Sequence, residues 1–205
     1  MSFDLVIIAA STGGPKALRH VLSRLPQTLP FTLVIVQHML SNMFPSFVKT
    51  LASSVRFPLS EAQDGEMLIQ GRAYVAPAGY HLRLVGQTDG VIFKLDQKTP
   101  PLSGHRPAAN RLIEDAADLP LRTAVIILTG MGKDGLRGVM KLKAKQRQTT
   151  WVVAEDQASA LVYGMPRAII EHHLADAVLP LPKIADWLLE IAKHGREADE
   201  SSKEG

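Results

Sequence analysis

The chain has 205 residues and a mass of 22.3 kDa, enough for one domain with a substantial core. Its composition, 46% hydrophobic, 21% charged and 5% aromatic, excludes a disordered chain, a collagen and a coiled coil. The formal net charge of +3 is too small to indicate a nucleic-acid partner, so we expect none.

The sequence contains no cysteine, which excludes disulfides, thiolate metal ligands and a cysteine nucleophile, and which fits a reducing cytoplasm. No basic segment precedes the first apolar run, and no stretch approaches the ~18 apolar residues that a membrane span needs. We therefore expect a cytoplasmic protein that does not insert into membranes.

Strands and helices alternate along the chain. Three short apolar runs, at residues 5–10, 32–37 and 123–128, are typical of strands buried on both faces. Helical patterns follow them, starting near Pro15 and covering residues 44–53 and 136–145. The remaining predictions are strands at 73–76, 81–85, 91–94 and 150–154, and helices starting near Pro107, Pro166 and Pro182.

This order predicts an α/β fold with three α/β/α layers around a doubly wound, mostly parallel sheet. The turns at residues 77–79 and 88–90 predict an antiparallel hairpin region at one edge of that sheet. One domain is expected over residues 1–193, followed by a disordered tail over residues 194–205, which is nearly free of apolar side chains.

Three reactive side chains follow predicted strands, at the edge where doubly wound sheets bind ligands. Ser11 follows the first strand, His38 follows the second, and Asp134 lies in the loop after the strand at residues 123–128. Residues 9–13, Ala-Ala-Ser-Thr-Gly, resemble a nucleophile elbow in which alanine replaces the first glycine. In that interpretation His38 activates Ser11, Asp134 orients His38, and the Thr12 and Gly13 N–H groups bind an oxyanion.

Other interpretations of the same residues stay open at this stage. The Ser11–Gly14 turn before a helix also suits a phosphate group, so a non-catalytic phosphate- or nucleotide-binding module, or a protein-interaction module, is the alternative function. Asp134 alone suits the N-cap of the helix that begins near Leu136. His38 alone suits a hydrogen-bonded structural histidine.

Three segments resemble the signature segments of the chemotaxis protein-glutamate methylesterases, the CheB catalytic domain, and occur in the family's order. They are Ala-Ser-Thr-Gly-Gly-Pro at 10–15, Val-Gln-His-Met at 36–39 and Leu-Thr-Gly-Met-Gly-Lys-Asp-Gly at 128–135. Shorter matches are Gln-Asp-Gly-Glu at 63–66, Tyr-Val-Ala-Pro at 74–77, His-Arg-Pro at 105–107 and Tyr-Gly-Met-Pro at 163–166. The resemblance spans residues 4–190.

The resemblance implies a serine hydrolase whose triad is Ser11, His38 and Asp134. It places Thr12, Met131 and His105 beside the site, with the Met131 N–H as a further oxyanion donor. The implied substrates are glutamate methyl esters on helices of methyl-accepting chemoreceptors, with deamidation of receptor glutamines as a second activity. No cofactor or metal is implied.

The chain departs from the family pattern at three places. Ala9 stands where the family usually has glycine, and residues 146–148, Gln-Arg-Gln, replace a turn that usually contains glycine. The family's N-terminal receiver domain has no counterpart before the first strand. We therefore expect a standalone catalytic domain without phosphorylation control in the same chain, for which a separate receiver or regulatory protein is a candidate partner.

A basic stripe follows the loop that carries Asp134. Arg137, Lys141 and Lys145 recur every four residues and therefore share one face of the predicted helix. We expect these side chains either to dock an acidic substrate or to form an ordinary solvated face.

Overall fold

A computed structural model describes the backbone of residues 2–201 and the side chains through Lys193. Within these residues the chain forms nine strands and six α-helices. The strands are β1 (Leu5–Ala10), β2 (Thr32–Gln37), β3 (Leu59–Glu61), β4 (Ala73–Val75), β5 (His81–Gln87), β6 (Gly90–Asp96), β7 (Thr123–Ile127), β8 (Thr150–Glu155) and β9 (Ala177–Leu179). The helices are α1 (Gly14–Leu22), α2 (Phe44–Ser53), α3 (Ala109–Ala116), α4 (Leu136–Gln146), α5 (Gly164–Glu171) and α6 (Leu181–Ser201).

Seven strands form one sheet in the order β3-β4-β2-β1-β7-β8-β9, and every pairing in it is parallel. The chain builds outward from β1 in both directions, first through β2 and then through β7. The strand order therefore reverses beside β1, and crevices for ligands form at the carboxyl ends of strands at such a point.

Two helical layers cover the sheet because alternate side chains of each strand point to opposite faces. Val6 and Ile8 of β1 pack in one apolar cluster with residues of α1, α2 and α6. Leu5 and Ile7 pack in a second cluster with residues of α3, α4 and α5. The predicted three-layer α/β/α architecture is confirmed.

The predicted hairpin exists, but its predicted position at an edge of the sheet is wrong. β5 and β6 form a separate antiparallel pair, and the main sheet is parallel throughout. Leu82, Leu84 and Phe93 of the hairpin join the cluster on the α3 side of the sheet. Arg83 also binds Asp115 of α3 through two bonds of 2.6 Å, so the hairpin packs on a helix instead of extending the sheet.

Two further predictions concern the turn at residues 146–148 and the C-terminal tail. The turn at residues 146–148, which lacks the family's glycine, is ordered: Arg147–Thr149 form a 3-10 helix, and the Gln146 side chain donates to the Ala116, Ala117 and Leu119 carbonyls. Of the predicted disordered tail, residues 194–205, the backbone through Ser201 is assigned to α6, whereas the side chains after Lys193 and all of residues 202–205 lie outside the described part of the chain.

Candidate active site

The turn that carries Ser11 connects β1 to α1 and depends on two glycines. Gly13 is the N-cap of α1 and has a φ of 86°, a left-handed conformation that glycine adopts without strain. Gly14 leaves space for a neighbour, because a Cβ atom there would lie 1.9 Å from Oε1 of Gln37. The Ser11 side chain thus stands between the end of a central strand and the N-terminus of a helix.

Gln37, the last residue of β2, connects the two strand ends that hold the candidate nucleophile and base. Its buried Nε2 donates to the carbonyl oxygens of both Ser11 and His38, each at 2.9 Å. The His38 N–H donates to the Ala10 carbonyl at 3.1 Å. Ser11 and His38 are therefore adjacent on neighbouring strands, with their backbones fixed to one another.

His38 and Asp134 form a buried hydrogen-bonded pair. His38 Nε2 lies 2.8 Å from Oδ2 of Asp134, and the two side chains are only 3% and 4% exposed. Burial on this scale removes most of the competing water, which strengthens the interaction. The predicted association of His38 with Asp134 is present in the structure.

Asp134 caps a helix, but a different one from the helix that follows it in sequence. The N–H groups of Ala109 and Asn110, at the start of α3, donate to its two carboxylate oxygens at 2.6 and 2.9 Å. The N-cap of α4 is Gly135, whose N–H adds a bond of 3.0 Å to Asp134. The carboxylate is thus fixed by α3, and the proposed capping of its own helix is not what holds it.

These bonds keep Asp134 ionised and select the tautomer of His38. Burial alone would raise the pKa of Asp134, but the hydrogen bonds from His38, Asn110 and Ala109 outweigh it and hold this pKa below its ordinary value. An ionised carboxylate only accepts, so Nε2 of His38 carries the proton that it donates. The other ring nitrogen, Nδ1, is buried without a hydrogen-bond partner among the described residues and is free to accept a proton.

His105 covers the imidazole of His38. The two rings are stacked in parallel, with centroids 4.0 Å apart and an interplanar angle of 6°. Burial and the proximity of His38 lower the pKa of His105, against the opposing effect of Asp134. The positive charge of His105 is therefore disfavoured at this position, and its ring shields one face of His38.

A glycine after β7 brings a second loop against Ser11. A Cβ atom on Gly130 would lie 2.9 Å from the Cβ of Ser11, so only glycine allows this approach. The next residue, Met131, is 65% exposed. Within the described residues, the N–H groups of Thr12, Gly13 and Met131 have no hydrogen-bond acceptor, so they are available to an oxyanion.

The hydrogen bonds among the described residues do not include one between the Ser11 hydroxyl and His38. Such bonds are often long in the absence of substrate and close when it binds. The structure therefore brings Ser11, His38 and Asp134 to one edge of the sheet and joins the last two directly. The phosphate-binding alternative uses the same free N–H groups, but it assigns no role to a buried histidine–aspartate pair beside the turn.

The basic stripe on α4 is largely neutralised. Lys141 and Lys145 both form ion pairs with Asp118. Arg137 is the most exposed of the three and lies 3.7 Å from a carboxylate oxygen of Glu114. The predicted row of free positive charges is thus reduced to a single weakly paired arginine.

Large exposed apolar side chains lie at the same edge of the sheet as the site. They lie in the loops that follow β2, β7 and β8, and each is more than half exposed. These side chains are Leu40, Met43, Met131 and Leu161. Leu161 lies over the Ser11 turn, since a Cβ on Gly13 would be 3.0 Å from its Cβ. Large exposed apolar side chains at one edge of a fold are typical of protein-binding surfaces.

A serine after the central strand of a doubly wound parallel sheet, with a histidine–aspartate pair at the same edge, is an arrangement that serine hydrolases of the α/β class use. Comparison with known proteins identifies the family. The model of the CheB methylesterase family matches residues 6–188. The chain belongs to this family.

Relatives and a solved structure agree with the family. The chain is 41% identical over 188 residues to a protein-glutamate methylesterase/protein-glutamine glutaminase of Geobacillus kaustophilus, covering 91% of this chain and 53% of the relative. A protein of the same name from Thermotoga maritima is 39% identical over 192 residues, covering 93% and 55%. The crystal structure of the Thermotoga maritima CheB methylesterase catalytic domain matches with a TM-score of 0.86 and 39% identity, covering 93% of this chain and all of that one. The chain spans about half the length of the curated relatives it matches.

The described residues contain no helix that is both long and apolar enough to cross a membrane. Nor do they contain a group of three or more histidine, aspartate or glutamate side chains placed to bind a metal ion.

Proposed function

We propose that this chain hydrolyses methyl esters of glutamate side chains in methyl-accepting chemoreceptors, and thereby acts in chemotaxis adaptation. The observation that carries the proposal is the buried His38–Asp134 pair, in which His38 Nδ1 has no hydrogen-bond partner among the described residues and the His38 backbone lies next to the strand end that precedes Ser11. The names of the relatives, protein-glutamate methylesterase/protein-glutamine glutaminase, supply the substrate class. Cytoplasmic localisation stays a prediction from the composition.

In the first half of the reaction, Nδ1 of His38 accepts the proton of the Ser11 hydroxyl while the serine oxygen attacks the ester carbonyl. The carbonyl oxygen becomes an oxyanion, which the free N–H groups of Thr12, Gly13 and Met131 stabilise. The positive charge on the imidazole is balanced by Asp134. When the intermediate collapses, His38 returns the proton to the leaving oxygen, methanol departs, and the glutamyl group remains as an ester on Ser11.

In the second half, His38 removes a proton from water, which attacks the ester of Ser11 through a second oxyanion. Collapse of this intermediate returns the proton to the serine oxygen and releases glutamate. A side-chain amide reacts by the same steps with ammonia as the leaving group, which accounts for the glutaminase activity in the relatives' names. The proposed chemistry uses only side chains and backbone N–H groups, without a cofactor.

The surroundings of the site suit a protein substrate. The apolar side chains at the same edge of the sheet, of which Leu161 is 73% exposed, offer contacts to the apolar face of a receptor helix. Docking by Arg137, Lys141 and Lys145 remains a prediction, and we assign its electrostatic part to Arg137 because Asp118 neutralises the two lysines. A separate receiver or regulatory protein remains a candidate partner.

Methanol release from membranes that contain methylated receptors tests this function. The wild-type chain should release methanol and expose a new carboxylate for each ester lost, and Ser11→Ala should release none above background. Failure of the wild-type chain on both receptor esters and small esters would contradict the proposal. Thermal stabilisation by a nucleotide or phosphate, with no ester hydrolysis, would support the phosphate-binding alternative.

A further inference from the structure

Glu155, the last residue of β8, is a completely buried carboxylate outside the set Ser11, His38 and Asp134. It forms no ion pair with any described residue. Burial without a cation is costly for a carboxylate, whereas an apolar side chain could fill a site in the interior at no such cost. A carboxylic acid side chain at this buried position therefore indicates a function for its oxygens.

Both oxygens of Glu155 accept hydrogen bonds from the loops at the carboxyl edge of the sheet. Oε2 accepts from the Thr129 N–H at 2.8 Å, and Oε1 accepts from the Ser159 hydroxyl at 3.0 Å. The Ser159 oxygen in turn accepts from the Leu181 N–H at 3.0 Å. Burial raises the pKa of Glu155, and the hydrogen bonds from Thr129 and Ser159 oppose this effect. The bond to Thr129 connects Glu155 to the active site.

Thr129 contacts the Ser11 turn at two points. Its carbonyl accepts the Ser11 N–H at 3.0 Å, and its hydroxyl donates to the Thr12 carbonyl at 2.9 Å. The same hydroxyl accepts from the Val162 N–H at 2.9 Å. Thr129 also precedes Gly130 and Met131, so its position determines where the loop with the candidate oxyanion donor lies relative to the nucleophile.

We propose that Glu155 is a positioning residue for the esterase reaction: by holding the Thr129 N–H, it fixes Ser11 and the Met131 N–H relative to one another. The proposal rests on the proposed function. Glu155 does not touch the reacting atoms, and its effect passes through Thr129. Oxyanion donors act only when held within a few tenths of an ångström of the productive geometry, and a misplacement of about 1 Å costs about 100-fold in rate.

Two substitutions of Glu155 distinguish a role in positioning Thr129 from a role in filling the interior. Glu155→Gln keeps an oxygen for the Thr129 N–H and an NH₂ group that can donate to Ser159, so its acylation rate should stay within about 3-fold of the wild type. Glu155→Leu removes the acceptor, and we expect acylation to slow about 100-fold with little change in KM. Acylation is measured by the burst of p-nitrophenol from p-nitrophenyl acetate and by the rate of fluorophosphonate labelling.

Variants that leave Glu155 in place provide the controls. Thr129→Val keeps the N–H bond to Glu155 but loses the hydroxyl bonds to Thr12 and Val162, and Thr129→Ser restores a hydroxyl. We expect slow acylation in the first and recovery in the second, because the effect of Glu155 passes through Thr129. A folded Thr129→Val variant that acylates at the wild-type rate would overturn the proposal even if Glu155→Leu does not fold. Ser159→Ala removes the other bond to Glu155, and it should lower the melting temperature while leaving acylation within about 3-fold.

The result that overturns the proposal is a folded Glu155→Leu variant that acylates at the wild-type rate, or a Ser159→Ala variant that loses rate as much as Glu155→Leu. In the second case Glu155 would act only through general stability. Either result leaves the wild-type enzyme active on esters, so it is distinguishable from failure of the proposed function, in which the wild-type chain itself is inactive.

Discussion

Replacing Asp134 by asparagine tests how the structure prepares His38. The carboxylate accepts four hydrogen bonds, two at each oxygen: from His38 and Ala109 at Oδ2, and from Asn110 and Gly135 at Oδ1. Asparagine turns one oxygen into an NH₂ donor. Placed at Oδ1, this donor would face two backbone N–H groups, whereas at Oδ2 it would face only that of Ala109 and the ring of His38.

The second placement is the less unfavourable one, and it inverts the tautomer of His38. The NH₂ group can donate to Nε2 only if the imidazole proton moves to Nδ1, the nitrogen that must accept the proton of Ser11. We therefore expect kcat to fall about 10⁴-fold, as is typical when this residue of a triad is replaced by asparagine. The Ala109 N–H loses a charged acceptor, which should cost about 2 kcal/mol of folding free energy.

Acylation by p-nitrophenyl acetate measures the rate, and ¹⁵N NMR of the histidines reports the tautomer directly. The wild-type spectrum should show His38 protonated at Nε2, and the Asp134→Asn spectrum should show it protonated at Nδ1. Asp118→Asn is the control, since this exposed carboxylate pairs with lysines on α4 and its loss should leave the rate unchanged. A rate for Asp134→Asn within tenfold of the wild type would refute the reasoning.

Three further predictions concern stability, pH and docking. Gly14→Ala would place Cβ against Gln37 and should destabilise the fold by about 1–3 kcal/mol in urea denaturation. The folded state lowers the pKa of Asp134, so the ionised carboxylate stabilises the fold fully above the ordinary pKa of 3.8. This stabilisation disappears as the pH falls through the lowered pKa, and the difference in folding free energy between the wild type and Asp134→Asn should therefore shrink in acid. Arg137→Glu should lower kcat/KM on receptors about threefold at low salt and leave a small neutral ester unaffected, and equal losses on both would instead indicate damage to the catalytic loop.

The centre of the fold was predictable because its strands are apolar on both faces. The runs at residues 5–10, 32–37 and 123–128 correspond to β1, β2 and β7, and the rule that ligands lie beyond strand carboxyl ends selects Ser11 and His38. The edge strands β3 and β9 escaped prediction because they have only three residues each and are partly exposed. The hairpin was placed wrongly because its local signals do not say which surface it packs against.

Among the residues that support the site, some carry a signal in the sequence and others do not. Glu155 carries a signal that sequence reasoning missed, because a charged residue that ends a buried strand satisfies the rule that selects Ser11 and His38. Gln37 carries a weaker version of that signal as a polar end to an apolar strand. The capping of α3 by Asp134 has no local sequence signal, because it joins segments 25 residues apart. From the sequence alone, Asp134 suits only the N-cap of the helix that follows it.

The central claim is that His38 and Asp134 make Ser11 a nucleophile, and active-site labelling tests it most directly. A fluorophosphonate is incubated with the wild type, Ser11→Ala, His38→Gln and Asp134→Asn, and the modified residue is located by peptide mass spectrometry. The account predicts stoichiometric labelling of Ser11 in the wild type, none in Ser11→Ala, and labelling slowed by orders of magnitude in the other two. Labelling at another residue, or equal rates in the wild type and His38→Gln, would contradict it.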